Sequence, residues 1–565
     1  MSLGRNKGCG RDGLPVEVLL AGGEALYAPV ATLYNRLTAL EDWPVAWTGG
    51  RMQEVHKKKG ALDDCDEYRG IVLEDHLAKG YKQWLSSRVM GCYASGMPDS
   101  QHGAVPGRST DFATHLVRSF LDHARRLRRS VFVIFIDLVK AFDRAVREVT
   151  LGWPAGVTDG AAYLRGLGID RESADFIAAW VAQHGCLFEK WGVDPKTIRL
   201  LKNMHAASWF SYGSVDEAIA TRLGGRQGCK YGAAIFNSGF SLALVLLREA
   251  LEEAGIVLRV DRCDGAFWGE RTDADGGPEP GRGPHGACPG GGGVTATPAG
   301  GRPAPDAQQP STPGDGRHAD REVVIDAAFV DDAVLMIMAL TADALDRAID
   351  ALLTPLCRIY RLLHMTINWK AGKTEALLVY RGPGAAGRLH ARRPAPGEPP
   401  SIPVPGCDLR LLVVHAYKHL GGEIRADGCV IDVAQGHRRA ALGAYCPLAT
   451  KVVGAAGIDL QLKLSLLHSL VMSRLTFNLH VLVPTVRFLS VLNDVYMRVE
   501  AHPRRVPARP HRHRPGCSGG RGRALDRLPA VPAASALPKP PCSQPAACPA
   551  CIAGHQAPWA FAPLG

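Results

Sequence analysis

Two adjacent aspartates, Asp331 and Asp332, interrupt an otherwise apolar segment, VVIDAAFVDDAVLMIMA at residues 323–339. Because an unpaired carboxylate loses several kcal/mol of solvation when it is buried, a simple core strand cannot accommodate the pair. The segment therefore predicts two apolar strands, VVIDAAFV and AVLMIMAL, joined as a hairpin with the aspartates at the turn. Taken alone, two neighbouring aspartates favour a surface turn over a functional site.

A second acidic residue ends another apolar run. Residues 131–136, VFVIFI, are continuously apolar and rich in β-branched and aromatic side chains, which predicts a buried strand, and Asp137 follows directly. Carboxylates at the ends of neighbouring strands can share one or two Mg²⁺ ions, whose charge offsets the cost of desolvation. Two such ions, about 3.5–4 Å apart, are the usual device for in-line nucleotidyl transfer. Asp137, Asp331 and Asp332 are therefore candidate metal ligands.

Composition divides the chain into folded and low-complexity parts. Residues 1–260 and 321–500 alternate apolar strands with helical patterns, including an amphipathic helix at 236–255 and a long helix at 343–363. Between them, residues 271–320 contain 13 Gly and 9 Pro, a composition that buries too little apolar surface to offset chain entropy. We predict a disordered Gly/Pro-rich insert over residues 261–320 and a basic, Pro/Ala-rich disordered tail over residues 501–565.

Charge and cysteine patterns limit the classes of function. The formal net charge is +11, but residues 501–565 carry nine Lys/Arg and one Asp, which is +8 of that total. The whole-chain charge is therefore only a weak indication of nucleic-acid binding. The spacing of Cys542, Cys548, Cys551 and His555 differs from that of a zinc knuckle, which favours incidental cysteines over a zinc site. Without a signal-peptide core or an apolar run of about 18 residues, we expect an intracellular protein with reduced thiols and no membrane partner.

Nine segments, in chain order, resemble the reverse transcriptases of non-LTR (LINE-type) retrotransposons. They include the aromatic-x-Asp-Asp segment AFVDDA and the segment FIDLVKAFDRA, which matches the first palm motif of that family. The other seven are GRDGLPVEVLLAGGEAL, EVHKKKGALDDCDEYRGIVL, QHGAVPGRST, GGRQGCKYGAAIFN, INWKAGKTEALLV, YKHLGGEIRADG and LVMSRLTFNLHVLVP. Together the nine cover roughly residues 8–500. A common order of nine motifs makes a chance resemblance improbable.

The resemblance implies an α+β fold of the polymerase right-hand type, with an antiparallel palm sheet backed by helices and a helical thumb. The fingers region is expected at residues 1–130, the palm at 131–260 and 321–430, and the thumb at 431–500. The Gly/Pro-rich insert then lies between the two parts of the palm.

The resemblance also implies a role for each candidate residue. Asp137 and Asp331 would be the main ligands of two Mg²⁺ ions, with Mn²⁺ as a substitute, and Asp332 would tune the site near the primer end. Phe142 would pack under the sugar of the incoming nucleotide and select dNTPs. The remaining candidates would contact that dNTP: Lys58, Arg69, Gln227, Gly228 and Lys373. A core aromatic remains the alternative for Phe142, and a solvated surface lysine remains the alternative for Lys58 and Lys373.

The implied partners are an RNA template, a DNA primer or target and dNTPs, in a nuclear or cytoplasmic ribonucleoprotein. Three functions stay open: an RNA-directed DNA polymerase, a catalytically degenerate remnant that binds nucleic acid without polymerising, and an RNA-binding, maturase-like protein. The intact aspartates favour the polymerase. The remnant is favoured by Ala233 at a usual proline position, by Ala104-Val105 in place of Phe-Arg, and by the long separation of Asp137 from Asp331, which predicts a second insertion at about residues 150–190.

Overall fold

The computed structural model describes residues 4–505 except 59, 214–216, 257–258, 262–268, 271–320, 324–325 and 456. Most of the predicted insert and the tail beyond residue 505, with its candidate zinc ligands, therefore lie outside the described residues. Within them the helices are α1 Val16–Ala21, α2 Tyr27–Leu40, α3 Val45–Thr48, α4 His76–Gly96, α5 Thr110–Arg126, α6 Ala141–Arg144, α7 Arg147–Leu151, α8 Gly160–Gly166, α9 Arg171–His184, α10 Leu187–Lys190, α11 Pro195–Ala206, α12 Gly232–Glu253, α13 Ala342–Leu362, α14 Ala385–Ala391, α15 Val430–Leu448, α16 Leu460–Leu467, α17 Ser473–Thr476 and α18 Val486–Arg505. The strands are β1 Arg51–His56, β2 Tyr68–Leu73, β3 Ser130–Ile136, β4 Trp209–Tyr212, β5 Ile219–Ala220, β6 Arg259–Asp261, β7 Gly269–Glu270, β8 Arg321–Val323, β9 Asp326–Phe329, β10 Asp332–Ala339, β11 Glu375–Val379, β12 Ser401–Pro403, β13 Arg410–Val413, β14 Ala416–His419 and β15 Gly422–Arg425.

A six-stranded sheet forms the centre of the fold, in the order β12-β13-β11-β3-β10-β9. Strand β3 pairs antiparallel with both β10 and β11, whereas β11 and β13 run parallel. The prediction of an antiparallel sheet is therefore correct at its centre and wrong at the β11–β13 pair. The register places Ile136 opposite Ala333, which brings the ends of β3 and β10 together.

The central strands are buried on both faces, which explains their continuous apolar runs. Every residue of β3 is buried, as predicted. Phe132, Ile134 and Ile136 face the largest apolar cluster, which contains α12 and α13, whereas alternate β3 residues face α5. Each of these large side chains contributes about 1.5–3 kcal/mol on burial. The sheet is thus covered on both faces, and Asp137 and Asp332 lie where β3 ends and β10 begins.

The N-terminal region has its own sheet and core. Strands β2-β1-β4-β5 form a four-stranded sheet, and α2, α4 and α11 enclose an aromatic cluster that includes Trp43 and Tyr81. A fully buried ion pair joins Lys82 Nζ to Glu74 Oε1 at 2.7 Å. Lys82 also lies over the Trp43 ring, 5.8 Å from its centroid. Arg226, in the loop that follows β5, lies 3.9 Å from the same Glu74 oxygen, so the loop is joined to this buried ion pair.

Helices α15 to α18 form a separate apolar cluster at residues 430–505. Val433, Leu467, Val471, Phe488 and Val495 are among its buried members. The described contacts between this cluster and the rest of the protein include an ion pair, His480 Nε2 to Asp111 Oδ2 of α5 at 3.1 Å. The cluster coincides with the region predicted to be the helical thumb.

Several boundaries differ from the predictions. Helix α12 begins at Gly232 rather than at residue 236. Its first half is buried almost throughout, and its second half is amphipathic as predicted, with Leu247 and Leu251 buried and Glu249 and Glu252 exposed. The residues 150–190, where a second insertion relative to the family pattern is predicted, contain α8, α9 and α10, which pack into the main core through side chains such as Ile177, and the insertion itself stays a prediction. Asp261 and Gly269–Glu270, inside the predicted disordered insert, form strands in a three-stranded sheet with β8.

The α+β class is confirmed, and the right-hand arrangement of fingers, palm and thumb stays a prediction. Helix α12 is long and apolar enough to cross a membrane by length and composition, and 67% of its most apolar window is buried inside the protein. Since a core helix has the same properties, α12 is weak evidence for a membrane span.

Candidate active site

The two-residue turn Val330-Asp331 joins β9 to β10, because Phe329 pairs with Asp332. Val330 has φ 61, a left-handed conformation that costs a residue with a Cβ about 1–2 kcal/mol. A positive φ at the first residue of a two-residue hairpin turn is shared by the type I′ and type II′ turns, which favour glycine or asparagine there. The predicted hairpin is confirmed, with the correction that Asp332 begins β10 and only Asp331 lies in the turn. A strained backbone thus presents the acidic pair at the end of the sheet.

Asp137 lies at the same end of the sheet, directly after β3. Its carboxylate accepts from Asn368 Nδ2 at 2.9 Å and from Lys373 Nζ at 3.2 Å. The backbone is tied to the same loop, because Asn368 N donates to Asp137 O at 2.8 Å and Asp137 N donates to Thr374 Oγ1 at 3.1 Å. The loop 368–374 therefore holds Asp137 in position and pairs its carboxylate with Lys373. Sequence reasoning identified Lys373 but missed Asn368.

The three carboxylates interact electrostatically. Burial raises the pKa of Asp331, and the negative charge of Asp137 adds to the rise. Burial also raises the pKa of Asp332, to about 6, with further contributions from the charges of Asp331 and Asp137. Asp332 keeps an exposed face, so protein surrounds it only in part. Lys373 opposes both shifts, and Arg69 opposes that of Asp331. Negative charge is therefore concentrated here with two cations beside it.

This donor set suits a hard divalent cation by its chemistry, because Mg²⁺ prefers carboxylate oxygens. Among the described residues, however, no group of three His, Cys, Asp or Glu side chains is arranged to hold a metal ion. The oxygens of Asp137 are instead engaged by Lys373 and Asn368. The residue types and their shared place at the sheet end fit Mg²⁺, and binding would require Lys373 to release Asp137.

The basic candidates divide into two groups. Arg69 is exposed on β2, and its charge acts on Asp331, so the structure brings it to the carboxylates. Lys58 lies in the exposed loop after β1, where its amide donates to His56 Nδ1 at 3.1 Å. Within the part of the chain that the structure describes, no ion pair joins Lys58 to the carboxylates. Lys58 is thus the basic candidate with the least structural support.

Gln227 and Gly228 pack against the backbone of β2. Val72 N donates to Gln227 O at 2.8 Å. Gly228 has φ 100, and a Cβ there would lie 2.4 Å from Val72 O, so both the conformation and the close approach require glycine. The preceding Arg226 is buried and donates from NH1 to Thr48 O at 2.6 Å. These contacts with Val72 and Thr48 anchor the loop, and the Gln227 side chain stays exposed beside β2, the strand that carries Arg69.

Phe142 lies in α6, five residues after Asp137. Its ring stacks on Phe236 with centroids 5.0 Å apart, and it is only partly buried against the main core. Its carbonyl accepts from Gly225 N at 2.7 Å, which ties α6 to the loop of Gln227. The residue is thus a core contact on one side, and it lies beside a candidate nucleotide-contacting loop.

The departures from the family pattern have little local effect. Ala233 lies in the first turn of α12, where a backbone N–H has no intrahelical acceptor, so alanine and proline both fit. Val105 is 5% exposed and belongs to the core around Tyr81, so that position holds an apolar contact rather than a basic one.

Tyr417 of β14 is a second supporting residue that sequence reasoning missed. Its ring stacks on Phe135 with centroids 4.2 Å apart, and its hydroxyl donates to Lys373 O at 2.8 Å. Burial, with the charges of Asp332 and Asp137, raises its pKa, so the hydroxyl stays protonated as a donor. The only sequence signal was its position at the start of the YKHLGG segment.

Comparison with known proteins gives two partial similarities, and no protein-family profile matches the chain. A stretch of 117 residues, 20% of the chain, is 26% identical to "Probable RNA-directed DNA polymerase from transposon BS" of Drosophila melanogaster. A stretch of 261 residues, 45% of the chain, is 23% identical to "Transposon TX1 uncharacterized 149 kDa protein" of Xenopus laevis. The chain spans less than a fifth of the length of these relatives, 13% and 17% respectively. It is distantly related to transposon-encoded proteins.

Proposed function

We propose that the chain is the RNA-directed DNA polymerase region of a non-LTR retroelement, which adds dNTPs to a primer 3′-hydroxyl. The observation that carries the proposal is that Asp137, Asp331 and Asp332 lie at one end of the sheet, where β3 pairs with β10, with Lys373 paired to Asp137 and the charge of Arg69 acting on Asp331. The distant similarity to a transposon protein named as an RNA-directed DNA polymerase supports the same function. The polymerase right hand is the architecture proposed with it, and only its α+β class is observed.

In this proposal Asp137 and Asp331 would hold two Mg²⁺ ions, for which Mn²⁺ could substitute, and Asp332 would adjust the charge of the site. Bound ions would supply charge for the transferred phosphoryl group and for activation of the 3′-hydroxyl. The protein contributes orientation, because Asn368 and Thr374 hold Asp137 in place at the end of β3. Lys373, which pairs with Asp137 at 3.2 Å, would also be available to the triphosphate.

The nucleotide would bind between this group and the loop of Gln227. Arg69 can bind a phosphate with two parallel hydrogen bonds, and Lys373 supplies a point charge. Gln227 and Gly228 would contact the nucleotide from the loop that packs on β2, and Phe142 would select the deoxyribose. The RNA template and DNA primer would be held through their backbones. An intracellular ribonucleoprotein is the corresponding setting.

A second candidate is a catalytically degenerate remnant that binds nucleic acid without polymerising. Two observations favour it. The described residues contain no group of three His, Cys, Asp or Glu side chains arranged to hold a metal ion, and Lys373 is paired with Asp137. The two candidates differ in whether divalent ions and dNTPs displace that ion pair.

The test is incorporation of dTTP on poly(rA)/oligo(dT) with Mg²⁺, using the wild type, Asp331→Ala and Asp343→Ala. Asp343 is a suitable control because it is an exposed aspartate on α13, paired with Arg388. The polymerase proposal predicts incorporation by the wild type and the control and none by Asp331→Ala. Equal incorporation by all three proteins, or none by the wild type, would reject it, and primer–template binding without incorporation would favour the remnant.

A further inference from the structure

Gln101 contacts the strained turn of the hairpin from outside the central sheet. Its side chain is 0% exposed. Oε1 accepts from Val330 N at 3.0 Å, and Nε2 donates to Val330 O at 3.2 Å. Oε1 also accepts from Gly103 N at 2.9 Å. One amide group therefore satisfies both backbone groups of the residue with the left-handed conformation.

The chain around Gln101 is built to hold this contact. Ser100 O accepts from Ala328 N at 2.8 Å, and His102 N donates to Ala328 O at 2.7 Å, so the segment acts as a short parallel partner of β9. Arg108 NH1 fixes the segment from the other side by donating to Gln101 O at 2.8 Å. Without this segment, β9 would be an open edge strand next to the acidic turn.

Gly103 makes the close approach possible. A Cβ at this position would lie 2.1 Å from Val330 N, a distance that no side chain can accept. Asn237, fully buried in α12, donates from Nδ2 to Gly103 O at 2.8 Å and to Tyr93 OH at 3.1 Å. The turn is therefore connected through Gly103 to the core helix α12 as well as to Gln101.

We propose that Gln101 is a positioning residue that keeps Val330 in its left-handed conformation and so directs the Asp331 carboxylate toward Asp137. A free hairpin with valine at this position would relax toward a negative φ and rotate the next residue. The paired hydrogen bonds to Val330 N and O oppose that relaxation. This inference rests on the proposed polymerase function for its catalytic consequence, whereas its structural part stands independently.

The test compares the wild type with Gln101→Met, which has a similar length and volume but makes none of the three hydrogen bonds of the Gln101 side chain. Gln101→Asn is a milder variant that keeps the amide and is too short to reach both Val330 atoms. Thr150→Val is the control, because Thr150 is equally buried and its hydroxyl donates to Ile235 O at 3.2 Å, away from the hairpin. Hydrogen exchange measured on peptides spanning residues 326–335 is the first readout, and steady-state primer extension is the second.

We expect faster exchange of the hairpin amides in both Gln101 variants and unchanged exchange there in Thr150→Val. We expect kcat to fall about 100-fold in Gln101→Met, as for a reacting group displaced by about 1 Å, with KM for dTTP unchanged. Unchanged hairpin exchange in both Gln101 variants would overturn the proposal, as would faster exchange with an unchanged kcat. A wild type without polymerase activity would reject the proposed function, while the exchange data would still decide whether Gln101 holds the turn.

Discussion

Replacing Asp332 with asparagine should stabilise the metal-free protein at neutral and basic pH. In the folded chain, burial and the charges of Asp331 and Asp137 raise the pKa of Asp332 from 3.8 to about 6. A shift of about 2 units corresponds to about 3 kcal/mol at about 1.36 kcal/mol per unit. Because the side chain is exposed on one face, solvent screening reduces this figure, and we expect Asp332→Asn to gain about 1 kcal/mol.

The sign of the pH dependence follows from the raised pKa. The folded protein binds the Asp332 proton more tightly than the unfolded chain, so ionisation costs stability as the pH rises from 3.8 to about 6. Above about pH 6 the whole cost is present, and asparagine removes it. The advantage of Asp332→Asn should therefore be greatest near pH 8 and fall to about a third near pH 4.5.

Urea denaturation followed by tryptophan fluorescence measures this difference. Asp343→Asn is the matched control: it removes an exposed carboxylate from the first turn of α13, where the helix dipole and Arg388 stabilise it, so it should lose a few tenths of a kcal/mol. Added Mg²⁺ should stabilise the wild type and reduce the advantage of Asp332→Asn. The reasoning is refuted if Asp332→Asn shows no advantage at pH 8, or the same advantage at both pH values.

Three further substitutions test other parts of the account. Gly228→Ala should lower the free energy of unfolding by at least about 1–3 kcal/mol, because φ 100 and the backbone of β2 exclude a Cβ. Gly91→Ala, in open space on α4, should raise it by about 0.5–1 kcal/mol, and thermal melting compares the two variants. Lys82→Met should cost up to about 3–5 kcal/mol, because it leaves the buried Glu74 carboxylate with only Arg226 Nη2, 3.9 Å away, as a charged partner. The double variant with Glu74→Gln should recover part of that loss in urea titrations. Lys373→Met should slow primer extension by about 100-fold with unchanged primer–template affinity, and an unchanged rate would exclude a role at the triphosphate.

The sequence predicted those parts of the fold that depend on local patterns. The continuous apolar run before Asp137 predicted β3, and the two apolar runs around Asp331 predicted the hairpin, because strand burial and turn position are encoded within a few residues. The long helix at 343–363 was predicted for the same reason and is α13. The parallel pairing of β11 with β13 was not predictable, since it depends on how distant segments meet.

Sequence patterns indicated the charged candidates but not the side chains that support them. Asp137, Asp331, Asp332 and Lys373 were candidates because of acids at strand ends and a family-like motif, and the structure places them at one end of the sheet, while their roles stay predictions. Asn368 and Gln101 were missed, because each acts on a residue more than 200 positions away and a single polar side chain carries no periodic signal. Their roles depend on tertiary contacts that local sequence patterns do not specify.

The most direct test of the central claim, that the strand-end carboxylates form one divalent-metal centre, is Mn²⁺ binding followed by electron paramagnetic resonance. Wild type, Asp137→Asn, Asp331→Asn and the control Asp343→Asn would be titrated with Mn²⁺ in the presence of primer–template and dNTP. The account predicts saturable binding by the wild type and the control, and loss of most of that binding in both Asp137→Asn and Asp331→Asn. Binding of equal strength in all four proteins would contradict it.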